Sequence, residues 1–197
     1  TYAMEGSIFV AGAGVQWLRD RMKFIKKAPE TEKIVNSLKG NNGIYLVPAF
    51  TGLGAPYWNA NSRGVLSGIT RDTNPKEIIR ATIESVAYQT YDLFEAMKHD
   101  GLRPRIVKVD GGMVMNNWFS QFLSDVVNVK VLRPDVQETT AAGAAFMAGL
   151  KIGVYKSLKD ISKNWHLNRK FTPKMKNINR KKLIKGWSKA IERALVN

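Results

Sequence analysis

The stretches of this chain best suited to chemistry are glycine-bearing junctions between apolar strands and helices. "DGGMVMNNWF" (Asp110 to Phe119) follows a strand-like run and leads into a helix, while "AGAGVQ" (Ala11 to Gln16) and "TTAAGAA" (Thr139 to Ala145) each open one. In α/β folds, the carboxyl ends of strands and the amino ends of helices open onto a common crevice, where ligands settle. Glycine at such an edge lets a ligand approach the main chain. Several junctions of this kind can line a nucleotide crevice, where backbone N–H groups and helix dipoles hold phosphates without a lysine.

Other chemistries are excluded by what is missing. No G-x-x-x-x-G-K-[ST] loop is present, "GLGAPY" (Gly52 to Tyr57) lacks the third glycine of a dinucleotide fingerprint, and no G-x-S-x-G elbow occurs. The absence of cysteine rules out disulfides, thiolate nucleophiles and cysteine-based zinc sites, and fits a reducing, cytoplasmic setting. His99 and His166 are too few for a histidine cluster and read as surface residues. Glu84 and Asp92 lie two turns apart on one helix and read as structural rather than as an acid pair.

The elements that must position these junctions alternate between helix and strand, so the class is α/β, a sheet covered by helices. "GAGVQWLRDRMKFI" places Val15, Leu18, Met22 and Ile25 on one helical face, and "GIYLVPAF" and "GVLSGIT" read as strands around a Gly/Pro/Asn-rich loop. In "DTNPKEIIRATIESVAYQTYDLFEAMKHDG", Asn74 is a cap, Pro75 the first helical residue, Glu77 the capping-box partner and Gly101 the stop. A strand at Ile106 to Val109, a helix carrying Trp118, Phe119, Phe122, Leu123 and Val126, a strand at Val129 to Pro134 and an Ala/Gly helix at Glu138 to Leu150 follow. The small residues of that last helix would let a neighbouring backbone come close. Trp17, Trp58, Trp118 and Tyr88 read as core or interface aromatics.

The formal charge of +15 is concentrated in residues 151–197, which carry +12 against +3 for the rest. A basic tail can indicate nucleic acid. Here Leu183, Trp187, Ile191 and Leu195 recur at spacing four, so the favoured reading is an amphipathic helix packed on the body with its lysines in water. No apolar run reaches the roughly 20 residues that span a bilayer. The opening "YAMEGSIFVAG" alternates like a strand met midway, with no turn or cap before it, and is expected to belong to a larger protein.

The stretch "GVLSGITRDTNPKEIIRATIE" and the run from "GGMVMNNWF" to "ETTAAGAAFMAGL" resemble the C-terminal domain of the FGGY carbohydrate kinases. "EGSIFVAGAGVQWLRD", "VPAFTGLGAPYW" and "ESVAYQT" are similar to the branch of that family that phosphorylates glycerol. The likeness covers nearly all of the chain and weakens after about Asn168. It implies an actin-like ATPase, ribonuclease H-like fold, with residues 1–197 as most of the C-terminal, nucleotide-binding domain, truncated at its start. Residues 151–197 would be its basic extension.

By that resemblance Gly12 and Gln16 contact the nucleotide near its phosphates and ribose, Gly112 and Asn116 lie near the adenosine, and Asp110 supports its loop. The cofactors implied are ATP and Mg²⁺. Glycerol would bind through an N-terminal lobe that also carries the catalytic aspartate, which matches nothing in these 197 residues. The chain alone is therefore expected to be inactive, and its parent to be a homo-oligomer with no specific nucleic-acid partner. A family member acting on another polyol or sugar, and a nucleic-acid module using the tail, are the alternatives. Plain structural roles also stand open: helix–strand packing for Gly12 and Gly14, a solvated surface for Gln16, a turn for Gly111 and Gly112, and a helix cap for Asn116 or Asn117.

Overall fold

The structure, a computed structural model, describes residues 3–136 and 138–196. In chain order it contains α1 (Gly12–Asp20), α2 (Glu30–Asn36), β1 (Tyr45–Val47), β2 (Val65–Ser67), α3 (Pro75–His99), β3 (Ile106–Lys108), a 3-10 turn (Gly112–Met115), α4 (Asn117–Val127), β4 (Lys130–Pro134), α5 (Thr139–Lys151), α6 (Leu158–Ser162), β5 (Leu167–Phe171) and α7 (Asn177–Leu195). β1 and β2 form an antiparallel pair. β4 is central in the second sheet, parallel to β3 and antiparallel to β5. Among the described residues, no helix is long and apolar enough to cross a membrane.

α3 is the spine. Its start is set by local chemistry: Asn74 Oδ1 accepts from Lys76 N, and Glu77 Oε2 accepts from Asn74 N at 2.9 Å, closing the capping box ahead of Pro75. Gly101, at φ +87°, ends it with a left-handed turn in which Leu102 N reaches back to Met97 O. Between these ends every residue from Ile79 to Gln89 is buried, because α1, α2, α4 and β1 pack around the helix.

A helix enclosed on all sides must satisfy its polar side chains internally. Glu84, fully buried, accepts from Arg80 Nε at 2.7 Å and from the Tyr88 hydroxyl at 2.9 Å. Burial raises the Glu84 carboxyl, and Arg80 opposes the rise. One turn beyond Tyr88, Asp92 Oδ2 accepts from both Trp187 Nε1 at 2.6 Å and the Tyr57 hydroxyl at 2.9 Å. One carboxylate thus ties α3, α7 and the loop after β1 together.

α7 buries Trp187, Ala190, Ile191 and Ala194, with Leu183 and Leu195 partly covered. The Trp187 ring stacks on Tyr88 with centroids 5.3 Å apart. Gly186 lets α7 lie against Tyr45, whose hydroxyl occupies the place a Cβ would take.

Four readings from sequence change in three dimensions. Residues 3–9 form no strand: alternation makes a strand only beside a partner edge, and the neighbouring backbone supplies a single bond from Ala55 N to Ser7 O. α1 stops at Asp20, so Met22 is exposed, while Ile25 still reaches the core after the turn. Trp58 is 66% exposed, its edge against Phe9, so of the two roles read for it, core or interface, the core one falls. The small residues of α5 are mostly uncovered; Gly149 alone among its residues is buried, against Tyr155. Small side chains permit close approach but do not supply the neighbour.

Burial lifts the Asp92 carboxyl to about 6, against the pull of its Trp187 and Tyr57 donors. A carboxyl held above its unfolded value of roughly 3.9 binds its proton more tightly when folded. Its contribution to stability is therefore complete below about pH 4 and is lost as pH rises through about 6. In urea denaturation, Asp92→Asn should gain on the parent chain by roughly 2–3 kcal/mol between about pH 4 and pH 7. A difference between the two that does not change with pH would show that Asp92 titrates normally.

Candidate nucleotide cleft

A cleft of about 380 Å³ opens where α1, the start of α2 and the 3-10 turn converge. Gly12, Gln16, Gly112 and Asn116, a hundred residues apart in the chain, all line it. Its apolar side comes from Val15, Ile83, Met113 and Met115. A volume in this range is within the roughly 300–1,000 Å³ of small-molecule sites. The third glycine junction, at the start of α5, does not reach the cleft, and Asp110 is exposed outside its lining.

The two lining glycines are free of packing demands. A Cβ on Gly12 or on Gly112 would meet nothing within 4 Å, and neither residue has a positive φ. Gly14 is the packing glycine, since its Cβ would stand 3.0 Å from Thr82 Cγ2, and Gly111, at φ +82°, makes the turn. Ala11 caps α1 without a side-chain bond, which leaves first-turn N–H groups of that helix to water or a ligand.

Asn116 is the helix cap of α4, its Oδ1 accepting from Phe119 N at 2.9 Å. Its Nδ2 donates to Thr31 Oγ1 at 3.2 Å, so the residue also fastens α4 to α2. One lone pair and one N–H remain on the amide. Gln16 is exposed on the cleft wall.

The support behind this wall was not read from the sequence. Arg133, buried on β4, donates from Nη1 to Val114 O at 2.8 Å and Met115 O at 3.3 Å, and so holds the carbonyls of the 3-10 turn. Its Nε and Nη2 bond to Asn168 Oδ1, and Nη2 also to Asn117 Oδ1. Glu32, a lining residue, accepts from Asn117 N at 3.0 Å and Nδ2 at 3.1 Å, and Arg169 donates to Asn117 Oδ1 at 2.9 Å. The signal for Arg133 was a charged residue inside the apolar run "VKVLRP": arginine is rarely buried without a polar task. Thr31 and Glu32 carried no comparable mark.

No cluster of three or more His, Cys, Asp or Glu side chains that could hold a metal ion occurs among the described residues. The site is built of main chain, amides and apolar surface. A family model described as the C-terminal domain of the FGGY family of carbohydrate kinases matches residues 1–152. The chain belongs to that family.

Among curated FGGY relatives, glycerol kinase 1 of Pseudomonas aeruginosa is 56% identical over 193 residues, and a glycerol kinase of Clostridium botulinum is 52% identical over 195. Each alignment takes in 98% of this chain and 39% of the relative, so the chain spans well under half the length of the enzymes it matches. A solved structure of Plasmodium falciparum glycerol kinase with ADP superposes with a TM-score of 0.86 at 36% identity, over 97% of this chain and 38% of the other. A ligand-bound xylulose kinase from Lactobacillus acidophilus shares the fold, with a TM-score of 0.82 at 23% identity. The fold is therefore the FGGY C-terminal domain, of the actin-like ATPase kind.

Arg133 gives this FGGY lobe a testable joint. Arg133→Met leaves the Met115 carbonyl without its donor and the Val114 carbonyl with Ser120 Oγ alone, and should cost about 2 kcal/mol of stability. Amide exchange across residues 112–116 should then accelerate beyond the global loss recorded in α7. Unchanged relative protection of that turn would show that it holds itself.

Proposed function

We propose that the cleft is the nucleotide side of an ATP-dependent glycerol kinase, and that this chain is most of its C-terminal lobe. The observation that carries the reading is the convergence of Gly12, Gln16, Gly112 and Asn116 on one cleft where neither lining glycine is needed for packing or backbone conformation. A glycine that structure does not require, facing open space, is accounted for by a ligand that must touch the main chain. The phosphates lie toward the first-turn N–H groups of α1, where the helix dipole favours anions. The nucleoside rests on Gly112 between the apolar side chains, and the spare donor and acceptor of Asn116 meet it.

ATP supplies the phosphoryl group and Mg²⁺ rides on its phosphates, neutralising charge as the group transfers in line to a glycerol hydroxyl. Glycerol as acceptor is supported by the relatives at over 50% identity. The polyol site and the aspartate that accepts the hydroxyl proton belong to the part of the relatives' length that this chain does not span. Residues 151–197 form the basic extension of the lobe. The lysines of α7 are exposed while its apolar face is buried, which supports solvation over a specific nucleic-acid interface.

Two outcomes test this. The 197-residue chain alone should release no glycerol-dependent ADP above a heat-killed control in a preparation free of host kinase. It loses both proton transfer, worth roughly 10²–10⁴-fold, and substrate positioning. Turnover would mean that the chemistry is housed here.

Calorimetric titration of the chain with ADP should show binding that Gly112→Val removes while the melting temperature stays close to the parent's, because the valine side chain has space and an ordinary φ. Asn116→Ala should weaken ADP by a few-fold to roughly tenfold and also cost about 1 kcal/mol of stability through the lost cap. ADP affinity that survives Gly112→Val would place the nucleotide elsewhere.

A further inference from the structure

A second cavity, of about 780 Å³, shares no lining residue with the nucleotide cleft. It lies between the turn before β1 and helices α3, α4 and α7, and Lys39, Asn41, Arg80, Trp118, Asn179 and Lys182 contribute to its wall. Asn41 is 9% exposed, and its Oδ1 accepts from Gly43 N at 3.1 Å. Among the described residues its Nδ2 has no hydrogen-bond partner. The amide is near enough to Glu84 and Tyr45 to favour their ionised forms, yet it meets neither at hydrogen-bond geometry. A buried donor without an acceptor is uncommon in a native fold and points to a missing partner.

The charges around it are mostly positive. Arg80 uses Nε on Glu84 and Nη1 on Leu38 O, and among the described residues Nη2 bonds to no protein atom. Lys39 and Lys182 are exposed and form no ion pair among the described residues. The one acid in the wall, Asp125, accepts on Oδ1 from Gln121 Nε2, Lys174 N and Met175 N, and among the described residues its Oδ2 has no hydrogen-bond partner. Three cations, one of them paired with Glu84, thus outnumber the one carboxylate of the wall. Beside them stands an aromatic surface, with Trp118 stacked on Phe122 at 4.9 Å and the Arg80 guanidinium 5.0 Å from the Trp118 ring centre.

We propose that this cavity binds a phosphate monoester with a small organic body. Arg80 Nη2, the Asn41 amide and the two lysines take the dianion, and the ester carbon packs on Trp118. Convergent charged and amide donors suit a tetrahedral dianion with many acceptor sites. The aromatic wall gives an ester an advantage over free phosphate. The site is separate from the nucleotide cleft and does not rest on that assignment.

The test is a titration of the isotope-labelled chain with inorganic phosphate, with glycerol 3-phosphate and with glycerol, each with and without saturating ADP. The readouts are the Asn41 side-chain amide and Trp118 indole resonances. The ester should shift both signals with or without ADP, bind several-fold tighter than inorganic phosphate, and leave glycerol without effect. Lys182→Glu, an exposed change that leaves the fold intact, should weaken the ester roughly tenfold through the reversed charge. Asn41→Ala should abolish the indole shift.

Three results would overturn the proposal: no shift at either reporter at millimolar ester, affinity unchanged in Lys182→Glu, or shifts confined to the neighbourhood of Gly12 and Gly112. Equal affinity for inorganic phosphate and ester would replace the ester by free phosphate. Loss of the ester response on adding ADP would assign it to the nucleotide cleft instead.

Discussion

A helix buried through its middle turns can keep charged side chains there only where partners are supplied, and that constraint on α3 organises the molecule. Arg80, Glu84, Tyr88 and Asp92 lie on its turns: Glu84 joins Arg80 and Tyr88 within the helix, while Arg80 and Asp92 also recruit other elements. Arg80 reaches the Leu38 carbonyl, and Asp92 gathers Tyr57 and Trp187. The same helix offers Thr82 to Gly14 of α1 and Ile83 to the floor of the cleft. Fixing α3 therefore fixes the positions of α1, α7 and the loop after β1 together. Unpairing one such charge leaves it buried, which costs far more than a lost surface contact.

The cleft follows a similar logic from the opposite direction. Its surface is glycine, amide and apolar side chain, and its rigidity comes from behind. The carbonyls of the 3-10 turn rest on Arg133, Asn116 ties α4 to Thr31 of α2, and Glu32 braces Asn117. Open glycines on a braced main chain give a ligand a wall that does not need to reorganise on binding, which suits the nucleotide role proposed for it. The chain shares its fold with kinases for different substrates, at 36% identity for one and 23% for another.

Some of this was legible in the sequence. The start of α3 was, because Asn74, Pro75 and Glu77 act within one turn and need no distant residue. The face of α7 was, because a spacing of four marks one side of any helix. Gly12, Gln16, Gly112 and Asn116 were marked by their resemblance to the FGGY kinases, and the structure brings them to one cleft. β5 was missed: it carries "LNRKF", is exposed except at Phe171, and becomes a strand by pairing with β4. Residues 3–9 were read as a strand and are not one, for lack of a partner edge.

What the sequence determined by itself is whatever depends on near neighbours along the chain: helix caps and stops, the apolar faces, the charge imbalance of the tail and the motifs that mark the family. What the tertiary structure alone decided is which of two compatible roles each polar residue plays. Gly12 and Gly14 are two positions apart in one motif, yet only Gly14 has Thr82 against it. Asn116 is a cap because Phe119 is three residues away, and a cross-brace because Thr31 lies beside it in space. Arg133 looks like any strand-end arginine until Val114, Asn117 and Asn168 close around it. Hydrogen bonds and packing act over a few ångströms, and at that range a residue's neighbours are set by the fold and not by its place in the chain.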